Sequence, residues 1–161
     1  MEADLLDLTS PDDYVILGDN LAILPRLPDG VFQLIYVDPP FNTGKTQRRL
    51  TLRTERSEQG DRTGFGGRRY ATIRVGRSGY LDAFDDYLGF LAPRLEQARR
   101  LLREDGALYC HIDYREAHYC KVLLDQIFGR DCFLNEVIWA YDYGGRPKDR
   151  WPPKHDTILV Y

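Results

Sequence analysis

Apolar and polar positions along the chain follow two rhythms that take turns. "YVILGD" (14–19) and "ALYCHID" (107–113) have the composition of short strands, and "VFQLIYVD" (31–38) is nearly continuous in apolar residues, as a central strand covered on both faces would be. Between them lie stretches of helical period. "NLAILPRL" (20–27) predicts a short helix that starts at an Asn cap and is broken by Pro25. In "YLDAFDDYLGFLAPRLEQARRLLRED" (80–105), Phe84, Leu88, Leu91, Leu95, Ala98 and Leu102 recur at helical spacing. Pro93 is expected to kink or split that helix and Gly106 to end it. Asp113 and Glu116 have capping-box spacing and open a helix over 114–128, closed by Gly129. "FLNEVIWAY" (133–141) and "HDTILVY" (155–161) are strands joined by a Gly/Pro/Lys/Arg loop. This order predicts an α/β domain over 1–161, its sheet mostly parallel with a terminal antiparallel hairpin.

Composition narrows the class. A chain of 161 residues suffices for one domain with a sizeable core, and 43% hydrophobic with 29% charged residues is globular rather than disordered. No apolar run is as long as a membrane span, and the start, "MEADLLDLTS", is acidic, unlike a signal peptide. Three cysteines without a secretory signal fit reduced thiols, which predicts a cytoplasmic protein.

Charge is unevenly placed. Residues 45–79 hold ten Lys and Arg against three acids, a local +7 in a chain of net −3, so the remainder carries −10. The same stretch is rich in glycine, with "GFGG" (64–67) reading as a hinge. It is expected to be an inserted basic loop that meets a phosphate backbone, with Lys45, Arg48, Arg49, Arg68 and Arg69 among its contacts. A solvated insertion is the alternative on composition alone.

That loop follows directly on "VDPPFNTGK" (37–45). Two prolines end strand pairing and fix the backbone as the chain leaves the sheet. A carboxylate, a rigid carbonyl and an aromatic ring are then held at the carboxyl edge of a strand, where open α/β sheets bind ligands. A strand-ending turn with a solvated Asp is the plainer possibility. The set Cys110, His111, His118 and Cys120 has no common zinc spacing, and strand alternation sends Cys110 and His111 to opposite faces, so no metal is expected.

Together, "ILGDNLAILPRLPDG", "LIYVDPPFNTGK", "GALYCHIDYREAHYCKVLLDQIFG" and "FLNEVIWAY" resemble the amino-terminal half of the β-type DNA amino-methyltransferases, a family that includes type III modification subunits. The resemblance implies a partial Rossmann-like methyltransferase sheet, S-adenosyl-L-methionine as cofactor, double-stranded DNA as partner, and Asp38, Pro39, Pro40 and Phe41 as the catalytic segment. Asp38 and the Pro39 carbonyl would accept hydrogen bonds from an exocyclic amino group, drawing its nitrogen toward tetrahedral geometry for in-line attack on the sulfonium methyl. Phe41 would stack on the flipped base, and Trp139 matches a position near that base. As an apolar strand residue, Trp139 fits a core equally well. Asp19 and Asn20 match a segment beside the cofactor's adenosine, although both also suit helix capping. Asp at position 38, where RNA and protein methyltransferases of this kind usually carry Asn, favours a DNA amino group, and Asp rather than Ser there leans towards adenine N6 over cytosine N4. No cysteine follows a proline, which leaves cytosine C5 methylation unsupported. The family's late F-x-G-x-G cofactor segment has no counterpart here. The chain is therefore expected to be truncated or split, to bind cofactor poorly alone, and to depend on a carboxy-terminal half, with a restriction subunit as a further partner. A non-catalytic, DNA-binding remnant is the competing expectation.

Overall fold

The computed structural model describes residues 13–145 and 147–161, apart from the side chains of Arg49, Phe65, Arg77 and Ser78. The acidic start of the chain lies outside the described residues. Two compact units emerge, one from residues up to Asn42 together with Phe84–Tyr161, the other from Thr43–Ala83.

The first unit opens with an extended segment over 14–19 that is not a strand. Val15 and Leu17 are fully exposed there, since no neighbouring strand offers them a hydrogen-bond ladder among the described residues. Helix α1 (Asn20–Ile23) is capped by Asp19, whose Oδ1 accepts the Leu21 N–H at 3.1 Å, rather than by Asn20. A 3-10 turn, Leu24–Arg26, accommodates Pro25. Strand β1 (Phe32–Val37) follows.

The second unit replaces the expected loop. Strands β2 (Lys45–Arg56) and β4 (Arg69–Asp82) pair antiparallel along their whole lengths, with the short β3 (Arg62–Thr63) beside β4. "GFGG" forms the turn into β4, and Gly66 and Gly67 take positive φ there. The ribbon's base is closed at Asp82, which accepts the Thr43 N–H at 3.1 Å and the Thr43 hydroxyl at 2.7 Å.

Helix α2 (Tyr87–Leu101) starts at Asp86, whose carboxylate accepts the Gly89 N–H at 2.8 Å. The expected split at Pro93 does not occur. The row Leu91, Leu95, Ala98 and Leu101 is buried on both sides of the proline, and that packing holds one helix through it. The helix ends earlier than expected, because β5 (Leu102–Asp113) begins at once. Register slips where Phe32 faces Leu102 but Leu34 already faces Ala107. Gly106 sits in this bulge, where a Cβ would come within 3.0 Å of the Phe32 carbonyl.

Helix α3 (Ala117–Phe128) closes at Gly129, φ +94°. The capping box does not form: Asp113 instead accepts the Arg115 N–H and pairs with its guanidinium, while Glu116 accepts from Asn42. Strands β6 (Asn135–Ala140) and β7 (His155–Val160) complete the unit.

The sheet order is β1-β5-β7-β6. β1 is parallel to β5, and β7 is antiparallel to both β5 and β6. Three strands thus point one way, and the terminal hairpin reverses only β7. Leu91 and Leu95 of α2, Cys120 and Leu124 of α3, and Leu108, Cys110 and Ile112 of β5 form one core against this face. Burial pushes the Cys110 thiol up to about 12, as for an inert core residue. The apolar β1 is an edge strand among the described residues, not a central one. Ile35 and Val37 pack on the core, while Leu34 and Tyr36 are 61% and 51% exposed.

Candidate active site

The D-P-P-F turn leaves the carboxyl end of β1 and is pinned at two points. The buried Tyr87 hydroxyl donates to the Pro40 carbonyl at 2.6 Å. Asn42, at φ +52°, donates from Nδ2 to Glu116 at 2.7 Å and accepts the Phe84 N–H at 3.0 Å. The first turns of α2 and α3 therefore fix the backbone between residues 40 and 42. Asp38 keeps its side chain 59% exposed on this rigid turn.

Residues far apart in sequence meet beside it. Val37 and Cys110 are register partners, so the next residue of β5, His111, comes up against Asp38. Its Nδ1 lies 3.9 Å from Asp38 Oδ1 and 2.8 Å from the Tyr36 hydroxyl. Phe41 leans on the His111 ring at 5.6 Å between centroids. From β6, Trp139 stacks on the same ring at 5.8 Å and 5°. Asp156 of β7 stands between Trp139 and Asp113 in the ladders and brings Oδ2 to 3.5 Å from His111 Nε2. Three expected site residues, Asp38, Phe41 and Trp139, thus converge on one imidazole. Trp139 is 56% exposed, so it is not a core residue. Sequence reasoning does not bring His111, Tyr36 and Asp156 to this site. The strand alternation that turns His111 away from Cys110 is the available signal, but it gives no cross-strand partner.

Partial burial raises the Tyr36 phenol above its usual range, and the Asp38 charge adds to this, so the group keeps its proton and can donate or accept. Burial likewise raises the Asp113 carboxyl, against the pull of Arg115 and with Asp156 adding to the rise. Among the described residues no group of His, Cys, Asp and Glu is arranged to hold a metal ion.

Asp19 and Asn20 lie on a cleft of about 670 Å³ along the open edge of β1, with Asp38, Pro39 and Pro40 at one end. Their carboxylate and amide oxygens accept from Arg94 at 3.1 and 2.9 Å, and Arg94 also covers the Phe90 ring. In the ribbon, Lys45, Arg48, Arg68 and Arg69 are exposed, and the side chain of Arg49 lies outside the described residues. Among the described residues no helix is long and apolar enough to cross a membrane.

A mixed α/β sheet with an Asp-Pro-Pro-Phe turn at the carboxyl end of β1 is consistent with a DNA methylase domain. The family model of that description, covering the N6/N4 methylases, matches residues 32–161, and the chain belongs to this family. The Mod subunit of the type III restriction-modification enzyme EcoP15I from Escherichia coli is 30% identical over 156 residues, covering 91% of this chain and 23% of its own length. The StyLTI Mod subunit of Salmonella typhimurium is 32% identical over 91% of this chain and 23% of its own length. The type II methyltransferase M.KpnI of Klebsiella pneumoniae is 29% identical over 97% of this chain and 33% of its own length. The chain thus spans about a quarter to a third of the length of these three relatives.

Proposed function

We propose that this chain carries the catalytic segment of an S-adenosyl-L-methionine-dependent DNA methyltransferase that acts on adenine N6. The observation that supports this most is the meeting of Asp38, Phe41 and Trp139 around the His111 ring at the carboxyl end of β1. An adenine amino group is a weak nucleophile, because its lone pair is conjugated into the ring. Two acceptors on one amino group, the Asp38 carboxylate and the Pro39 carbonyl, localise that lone pair. The charge of Asp38 also stabilises the positive charge that develops on nitrogen as the N–C bond forms and the C–S bond breaks. Phe41 and Trp139 provide aromatic surface for a base removed from the stack.

The cleft along β1, bordered by Asp19, Asn20 and the D-P-P turn, is a suitable place for part of the cofactor. The cofactor supplies the electrophilic methyl group; no Gly-rich F-x-G-x-G segment lies in this sequence to complete its site. The proposal therefore assigns cofactor binding chiefly to a further part of the methyltransferase, which would also extend the sheet toward a Rossmann-like form. The exposed arginines of the ribbon suit double-stranded DNA. Because relatives are named as subunits of restriction-modification enzymes, a restriction subunit is the proposed protein partner. A bacterial cytoplasm is the corresponding location.

The test is chemical. The complete gene product carrying this chain, incubated with tritiated cofactor and duplex DNA, should place label in N6-methyladenine after digestion and chromatography. Label in N4-methylcytosine would overturn the choice of base, and unlabelled DNA would favour the non-catalytic remnant.

A further inference from the structure

His111 is the best-connected side chain at the site, and the acceptor chemistry above gives it no task. Its side chain is only 14% exposed, and every edge of the ring meets a residue of the pocket. Trp139 stacks on the ring, nearly parallel to it, and Phe41 leans against it at 57°. The Nδ1 edge meets Tyr36 at hydrogen-bond distance and Asp38 at 3.9 Å. The Nε2 edge is buried without a hydrogen-bond partner, but Asp156 Oδ2 stands 3.5 Å away. Asp156 is held in turn by the Tyr141 hydroxyl at 3.3 Å. A histidine used only as core filler would not leave a buried nitrogen facing a carboxylate, with a second carboxylate near the other ring nitrogen.

These contacts select a tautomer. The Asp156 carboxylate beside Nε2 can only accept, so the proton of the neutral ring is assigned to Nε2, and Nδ1 then accepts from the Tyr36 hydroxyl. In that form His111 offers Asp38 no hydrogen on its Nδ1 edge. The Asp38 carboxylate then keeps its acceptor capacity for an amino group. The opposite tautomer, or an imidazolium, would direct a proton at Asp38 or Tyr36 and compete for that capacity.

Resting on the methyl-transfer proposal above, we infer that His111 is a positioning residue: held as the Nε2–H tautomer by Tyr36 and Asp156, it sets the Asp38 carboxylate and the Phe41 and Trp139 rings in one arrangement around the target base. It acts through those groups and takes no part in bond making. A group that orients its neighbours should affect turnover more than binding.

The test has two arms. In this chain, nitrogen-15 imidazole spectra should show neutral His111 protonated at Nε2. Tyr36→Phe should mix the tautomers, and Asp156→Asn should move the Nε2 resonance. A ring protonated at Nδ1, or one indifferent to both variants, would overturn the inference without any activity measurement. In the complete gene product, single-turnover transfer is compared for His111→Phe, His111→Asn and Asp38→Asn. Phe keeps the ring surface but neither nitrogen, and should slow transfer at least tenfold with DNA affinity unchanged. Asn keeps a polar atom near the Nδ1 position and should recover part of that rate. Normal transfer by His111→Phe beside a crippled Asp38→Asn would sink the inference and leave the methyl-transfer proposal standing. Normal transfer by Asp38→Asn would remove that proposal, and the inference with it.

Discussion

Asp38 and Phe41 are legible as single residues because a proline pair can hold them in few ways. Motif and geometry agree on their placement: an exposed carboxylate on a turn whose following carbonyl, that of Pro40, is tied to Tyr87. Trp139 is legible only by resemblance, since a tryptophan in a strand is ambiguous until its exposure is known. Asp19 illustrates the opposite case. Its side chain caps α1 and meets Arg94, and local sequence foretells only the cap. Tyr36, His111 and Asp156 come from three strands, and no sequence period links residues that meet only through sheet register. A prediction belongs at this scale. Phe41→Ala should weaken capture of the target base by about 1–3 kcal/mol, the usual worth of one base–aromatic stack, while Phe41→Tyr should be nearly neutral. Binding to duplexes with 2-aminopurine at the target position reads this directly, with thermal unfolding in parallel because Phe41 also touches the core. Equal capture by Ala and Phe would show that the ring faces only the protein.

Elements are read well from sequence where one face is buried and poorly where none is. Helix α3 carries a periodic apolar face and lies close to its expected span, as do β6 and β7, although β6 is exposed along its length; β5 starts at Leu102, earlier than expected. The ribbon has no such face. Leu50, Leu52, Ile73 and Val75 are partly exposed among arginines, so composition resembles a loop while the backbone pairs over twelve residue pairs. Long antiparallel pairing supplies its order, and side chains on both surfaces are left to solvent or a partner. Replacing Arg48, Arg49, Arg68 and Arg69 with Ala should weaken DNA binding and reduce the slope of log K against log salt by about 0.9 for each phosphate no longer neutralised. Titrations at several salt concentrations measure that slope. A slope identical to that of the unchanged protein would mean that the ribbon is only solvated.

At the scale of the molecule, the sheet carries the proposed site at the end of β1. Helices α2 and α3 pack on its core, and among the described residues β1 is an edge strand bordered by a cleft and by exposed Leu34 and Tyr36. Local sequence marks β1 as buried on both faces, because its composition reflects the sheet it suits rather than the neighbours present here. The same open edge leaves residues 14–19 without a ladder. Calorimetry on the 161-residue chain should accordingly detect little or no binding of S-adenosyl-L-methionine, and low-micromolar affinity would show that the cleft is already a working cofactor site.

If the Asp38-Pro39-Pro40-Phe41 turn performs methyl transfer as proposed, removing the charge of Asp38 should slow that step. Single-turnover transfer of a tritiated methyl group to duplex DNA is measured for the complete gene product and its Asp38→Asn variant, with DNA binding followed alongside. Asn keeps an acceptor oxygen but removes the charge that meets the positive nitrogen. Removing one preorganised electrostatic interaction of this kind costs about 2.7–4 kcal/mol. The account predicts transfer slowed roughly a hundred- to a thousandfold with DNA affinity nearly unchanged. Near-normal transfer by Asp38→Asn would contradict it and reduce the segment to a strand-ending turn.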